Sequence, residues 1–160
     1  MKKQQINTEF SVYTFSELPE NYQQLLVKAK EQTANAYVPY SHFSVGAAVL
    51  LENGEIFAGN NQENAAYPSG LCAERVALFY ANAQRPEIPV RALAIAAKTN
   101  GEFVENPISP CGACRQVMLE TETRFAKPIS LLLYGKNEIY VFDRVTDILP
   151  LSFTEASMKK

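Results

Sequence analysis

Three cysteines and one glutamate carry the densest chemistry in this 160-residue chain. Cys111 and Cys114 stand in Pro110-Cys111-Gly112-Ala113-Cys114, three positions apart where a helix is expected to open. Residues at that spacing share one side of a helical turn, so both sulfurs can face one point. Pro110 suits a helix start, because proline has no N–H to satisfy there. The partial positive charge of a helix N-terminus favours the thiolate, which is the form that binds metal. Cys72 opens a second expected helix, in Cys72-Ala73-Glu74. Positions i and i+2 do not face each other within a helix, so Cys72 and Glu74 reach one site only if Cys72 is the cap. The loop-like Pro68-Ser69-Gly70 just before it favours that arrangement. Three protein ligands leave a fourth tetrahedral position open, the mark of a catalytic rather than a closed structural zinc site. His42, the single histidine, lies in another loop.

A Cys-x-x-Cys pair by itself also fits a thioredoxin-type redox centre. That reading, like a purely structural zinc module, leaves Cys72-Ala73-Glu74 without a role. Cys-Ala-Glu followed by Pro-Cys-x-x-Cys is the three-cysteine form of the signature of zinc deaminases acting on nucleosides and nucleobases. In such a centre the metal lowers the pKa of a water to about 7, and the resulting hydroxide attacks C4 of cytosine. Glu74 is then not a ligand: it takes the proton, passes it to ring N3 and later protonates the leaving ammonia. The plain alternative for Glu74 is a surface carboxylate complementing a helix N-terminus. Three thiolates around Zn²⁺ make a net negative centre, a poor Lewis acid. Arg75 and Arg115 each directly follow a motif, and one or both are expected to donate to the sulfurs and withdraw charge. For Arg115, ordinary surface ion pairing is an equal alternative.

The elements that must hold these residues follow from periodicity. Tyr22, Leu25, Leu26 and Ala29 recur at helical spacing between Pro19 and about Ala36. Phe43 to Leu51 reads as a strand, Asn53-Gly54 as a hairpin turn, and Glu55 to Asn60 as the returning strand. Asn61 to Gly70 is loop. Ala73 to about Gln84 is a helix with Val76, Ala77, Phe79 and Tyr80 as its apolar stripe. Arg91 to Lys98 is a buried strand, Glu105 to Pro110 a loop, and Gly112 to about Phe125 a helix with Val117, Met118 and Phe125 facing the core. Ile129 to Tyr134 and Ile139 to Val145 complete the strands. Strands alternating with helices predict a layered α/β sandwich with a mixed sheet and right-handed crossovers. Residues 1–16 read as an irregular arm and 17–160 as a single domain.

Composition narrows the class. The chain is 47% hydrophobic and 20% charged, with a net charge of -2. It has the balance of a globular domain large enough to bury a core without disulfides. The acidic balance speaks against a broad nucleic-acid surface. Neither a leader nor a membrane span is expected, and an odd count of free cysteines fits a reducing, cytoplasmic setting.

Longer segments carry a family resemblance from about residue 25 to 153: Pro39-Tyr40-Ser41-His42-Phe43-Ser44-Val45-Gly46, Gly59-Asn60-Asn61-Gln62-Glu63-Asn64-Ala65-Ala66-Tyr67, Cys72-Ala73-Glu74-Arg75, Ser109 to Gln116, and Leu149-Pro150-Leu151-Ser152-Phe153. Together they resemble the small homotetrameric cytidine deaminases. The resemblance implies a three-layer α/β/α sandwich around a mixed five-stranded sheet, and one Zn²⁺ per chain on Cys72, Cys111 and Cys114. It implies deamination of cytidine and 2′-deoxycytidine in pyrimidine salvage, by a homotetramer with shared active sites, without nucleic-acid or membrane partners. Asn61 and Glu63 fall where the family binds ribose, and Phe43 where it stacks on the pyrimidine. Ala65 and Tyr67 fall where it lines the pocket, and Ala73 where it offers backbone hydrogen bonds to the base. Phe153 matches an aromatic that reaches a neighbouring subunit's site. Asn60 and Gln62 depart from the pattern, which often has Cys or a small residue and an aliphatic there; this implies different packing behind the ribose loop. Related deaminases of other aminopyrimidines, such as blasticidin S, share the zinc motif. Glu63 and the Glu-Asn-Ala-Ala-Tyr run favour the nucleoside.

Overall fold

The computed structural model describes residues 1–159. Its strands are β1 (Ser11–Tyr13), β2 (Phe43–Leu51), β3 (Ile56–Asn60), β4 (Val90–Thr99), β5 (Glu102–Phe103), β6 (Ser130–Tyr134) and β7 (Ile139–Phe142). Its helices are α1 (Glu20–Gln32), α2 (Ala73–Gln84) and α3 (Gly112–Phe125). The path through the sheet is β1-β7-β6-β4-β2-β3, with β5 folded back on β4. Among the named strands of the described residues only the β4–β6 pair is parallel, as the α3 crossover between them requires. The sheet is therefore mixed, as expected.

Period-two burial sorts the strands into two faces. Ala47, Val49, Leu51, Leu93, Ile95, Leu131 and Leu133 pack with α2 and α3 on one side. Ala48, Leu50, Ala92, Ala94, Ala96 and Leu132 pack with Leu25, Leu26 and Ala29 of α1 on the other. A register shift between Leu50 and Leu51 lets Val90 join the α2/α3 side and leaves Arg91 outside. The three-layer sandwich follows from this split. Ala48, Ala92, Ala94 and Ala96 keep the centre of the α1 face low, so the helix lies close. A Cβ on Gly46 would stand 2.0 Å from the Ala29 carbonyl oxygen, which only glycine avoids.

Several elements differ from the sequence expectation. The sheet has seven strands, not five. The two additions are short. Within the arm read as irregular, Ser11–Tyr13 pairs antiparallel with Ile139–Val141, and Phe10 stacks on Tyr140 at 4.7 Å and Phe142 at 5.1 Å. Asn100 (φ 52°) and Gly101 (φ 82°) turn β4 back into β5; the Asn-Gly pair signals such a turn. The last strand stops at Phe142, and Val145 tucks into the core at a 3-10 turn, its N–H bound by the Glu122 carboxylate. On α2 the buried residues are Ala73, Glu74, Ala77, Leu78 and Ala81, whereas Phe79 and Tyr80 are 48% and 51% exposed. Small residues face the sheet there, and the aromatics are left on the outer surface.

Candidate active site

Cys72 and Cys111 are the N-caps of α2 and α3. Both have extended backbones, φ -70° ψ 150° and φ -66° ψ 163°, outside helical geometry. Cys114 lies one turn into α3 and is fully buried. The two helix starts thus aim their partial positive charge at one cluster of sulfurs. Cys72 Sγ lies 3.9 Å from Cys111 Sγ, Cys111 Sγ lies 3.5 Å from Cys114 Sγ, and all three are within 4.8 Å of one another. A tetrahedral zinc with Zn–S bonds of about 2.3 Å places sulfurs about 3.8 Å apart, so the donor set fits that ion. The cluster is buried at Cys114, half-buried at Cys72 and exposed at Cys111, which leaves one side open.

The electrostatics are those of thiols crowded around a shared charge. The Cys114 thiol and the Arg75 guanidinium lower the Cys72 pKa to about 5. The resulting Cys72 thiolate, together with burial, raises that of Cys114. Arg75 donates from Nη2 to Cys72 Sγ at 3.5 Å, the contact expected of a residue that withdraws charge from sulfur. Its Nε is buried without a partner among the described residues. Arg115 does not reach the sulfurs. It donates to the carbonyls of Pro110 at 2.8 Å and Ile148 at 2.9 Å and to Ser109 Oγ at 2.7 Å. Neither thiolate tuning nor surface ion pairing describes it: it clamps the Cys111 loop to the turn after β7. Glu74 is 5% exposed, and burial pushes its carboxyl pKa up.

Beside the cluster opens a cleft of about 530 Å³, lined by Tyr40, Asn61, Glu63, Tyr67, Cys72 and Arg75 among others. Residues 61–63 form its wall, held between two backbone segments. Gln62 exchanges both hydrogen bonds with Leu71, while Tyr37 pairs with Asn61 and Glu63. Asn61 Oδ1 accepts from the Val45 N–H at 2.8 Å, and its Nδ2 donates to the Phe43 carbonyl at 2.9 Å. Among the described residues one amide hydrogen of Asn61 has no acceptor. Glu63 Oε2 accepts from the Tyr40 and Ser41 N–H groups at 3.0 and 3.2 Å, and hydrogen bonding from Ser41 and Tyr40 holds its pKa below the usual value. Backbone donors leave no trace in sequence, so these partners of Glu63 were not foreseeable. Tyr40, which had no assigned role, packs edge-on against Tyr67 at 6.0 Å.

The other sequence candidates are placed as follows. Phe43 is half-buried at the start of β2, Ala73 is fully buried, and Ala65 is exposed in the loop. Phe153 is 62% exposed and lines a separate cavity with Gln116, which donates to its carbonyl. Within one chain it does not join the cleft.

Known proteins place this geometry in a lineage. Residues 19–127 match the family model described as cytidine and deoxycytidylate deaminase zinc-binding region. A cytidine deaminase of Halalkalibacterium halodurans is 40% identical over 138 residues, covering 85% of this chain and 96% of that protein. One of Sporosarcina psychrophila is 48% identical over 98 residues, 61% of this chain and 68% of that protein. The crystal structure of cytidine deaminase from Burkholderia pseudomallei superposes with a TM-score of 0.71 at 38% identity, covering 82% of this chain and 98% of that one. With the family pattern matched across both cysteine motifs and the sandwich shared with solved members, this chain belongs to the cytidine and deoxycytidylate deaminase zinc-binding family.

Proposed function

We propose that this chain is a zinc-dependent deaminase that hydrolyses cytidine and 2′-deoxycytidine to uridine and 2′-deoxyuridine with release of ammonia. The observation that carries the reading is the convergence of three sulfurs at zinc-compatible separations beside a cleft walled by Asn61 and Glu63, with Glu74 buried in the first turn of the helix that Cys72 caps. Cys72, Cys111 and Cys114 would hold one Zn²⁺ per chain, which would supply Lewis acidity to make a water more acidic near neutral pH. The chain's residues do the rest. Glu74 takes a proton from the attacking water and delivers it to pyrimidine N3, then takes the proton of the new C4 hydroxyl and gives it to the amine as the C4–N bond breaks. Its burial in the first turn of α2 suits a carboxyl that must be able to hold a proton. Arg75 draws charge from Cys72 Sγ. Asn61 and Glu63 offer a donor and an acceptor to the sugar hydroxyls and Tyr67 the pocket wall. Phe43 as a stacking face, Ala73 through its backbone and Ala65 as further wall lie outside the cleft lining of one chain and are assigned from the family resemblance.

We assign catalysis to residues 17–160, with the residues before them as an arm that joins the sheet edge through Ser11–Tyr13. We further assign the working unit to a homotetramer with shared sites. What supports assembly is that large side chains are left in solvent, Tyr67 at the cleft and Phe79 and Phe153 beside separate cavities. We place the chain in a reducing, cytoplasmic compartment, which free cysteines suit, and assign it to pyrimidine salvage as the nucleoside reading implies. The test is an ammonia-release assay with cytidine, 2′-deoxycytidine and blasticidin S, run alongside zinc content. Turnover of the two nucleosides at one zinc per chain is expected; turnover of blasticidin S alone, or of none, overturns the reading.

A further inference from the structure

From the wall of the cleft to the end of α1 runs a line of three side-chain amides. Gln62 donates from Nε2 to Asn60 Oδ1, and Asn60 donates from Nδ2 to Gln32 Oε1 at 3.1 Å. Gln32 is the last residue of α1 and Asn60 the last of β3. The line exists because Gly46, the β2 residue paired with Asn60, has no side chain. A Cβ there would come within 2.9 Å of Gln32 Cβ. The missing side chain lets Gln32 lie over β2 and reach the neighbouring strand. Successive side chains of an extended segment leave it on opposite sides, so the Gln62 side chain runs to Asn60 rather than alongside those of Asn61 and Glu63, although Gln62 also borders the cleft.

We propose that Gln32, Asn60 and Gln62 form an amide relay that positions the Asn61–Glu63 pair in the cleft, from a helix end that never touches substrate. The backbone pairing of Gln62 with Leu71 fixes where the segment lies. The relay fixes its rotation about its own axis, and with it the aim of the two flanking side chains. Polar residues at 60 and 62 are what make it possible; an aliphatic at 62 would end the line. The relay is a positioning device, and its kinetic consequence rests on the nucleoside reading above.

The test is Gln32→Leu, with Gln32→Glu as the variant that restores an acceptor. Gln32→Leu is expected to raise KM for cytidine about threefold to tenfold, the worth of one hydrogen bond, with kcat nearly unchanged. Amide hydrogen exchange at Asn61, Gln62 and Glu63 should quicken in the same variant, and Gln32→Glu should return both readouts toward the parent. If Gln32→Leu folds poorly, Asn60→Ala interrupts the same line one step closer. A drop in Tm with KM and loop exchange unchanged makes these amides a structural contact only and overturns the relay. If the parent releases no ammonia from either nucleoside, the functional reading falls, while the exchange measurement still decides the relay.

Discussion

Arg115 offers the sharpest test of how the metal-binding loop is held. Of its three hydrogen bonds, those to the carbonyls of Pro110 and Ile148 are partly buried, and that to Ser109 Oγ is exposed. A hydrogen bond from a charged donor contributes about 1.5–3 kcal/mol when shielded and much less in solvent. Taking the two shielded bonds at the low end, Arg115→Leu should destabilise the metal-free chain by about 3 kcal/mol. Leucine keeps part of the apolar stem, so the loss comes mainly from two carbonyls left without a partner. For a domain of this size that corresponds to a fall in Tm of about 6–12 °C. Pro110 immediately precedes Cys111, so the loosened loop should also weaken zinc binding by about 10- to 100-fold. Urea unfolding of the metal-free protein reads the first effect, provided the slope m is unchanged. Chelator competition reads the second. If Arg115→Leu stays within about 0.5 kcal/mol of the parent and binds zinc as tightly, the clamp is not what holds the loop.

Three further outcomes are expected. Glu74→Gln should keep one zinc per chain by metal analysis yet lose turnover by about 100-fold to 10,000-fold; near-normal activity removes Glu74 as the proton carrier. Gly46→Ala should destabilise by about 1–3 kcal/mol in urea, because its methyl meets the backbone of α1 rather than a movable side chain. An unchanged midpoint would mean that α1 and β2 are not in close contact. In metal-stripped protein, Cys72 should react with iodoacetamide as a thiolate at neutral pH. Because its pKa is lowered to about 5, the rate should fall only as pH drops through that value, and zinc should abolish the reaction. A midpoint near the ordinary thiol value contradicts the influence of Cys114 and Arg75.

What could be read from sequence depended on whether a residue's role is written in its neighbours. Cys72 and Cys111 were legible as caps because proline, loop residues and helical spacing mark a helix start locally. The α/β layering was legible for the same reason: the β2, β4 and β6 stretches are long apolar runs. β1 was not, since three residues show no period and their partner lies at Ile139–Val141, far along the chain. β5 had a local signal in Asn100-Gly101, but a two-residue strand gives periodicity nothing to repeat. Arg75 and Arg115 occupy equivalent positions just after a motif, yet one reaches sulfur and the other reaches carbonyls. Adjacency to a ligand fixes where a long side chain begins and not where its head group ends. That is decided by which acceptors the fold leaves open, and Ile148 O is 33 residues away in sequence. The same reasoning explains the amide relay. Gln32, Asn60 and Gln62 are each unremarked polar residues until Gly46 lets a helix end meet a strand end. In this chain the chemistry is carried by short motifs, while the precision with which they are aimed depends on contacts between residues far apart in sequence.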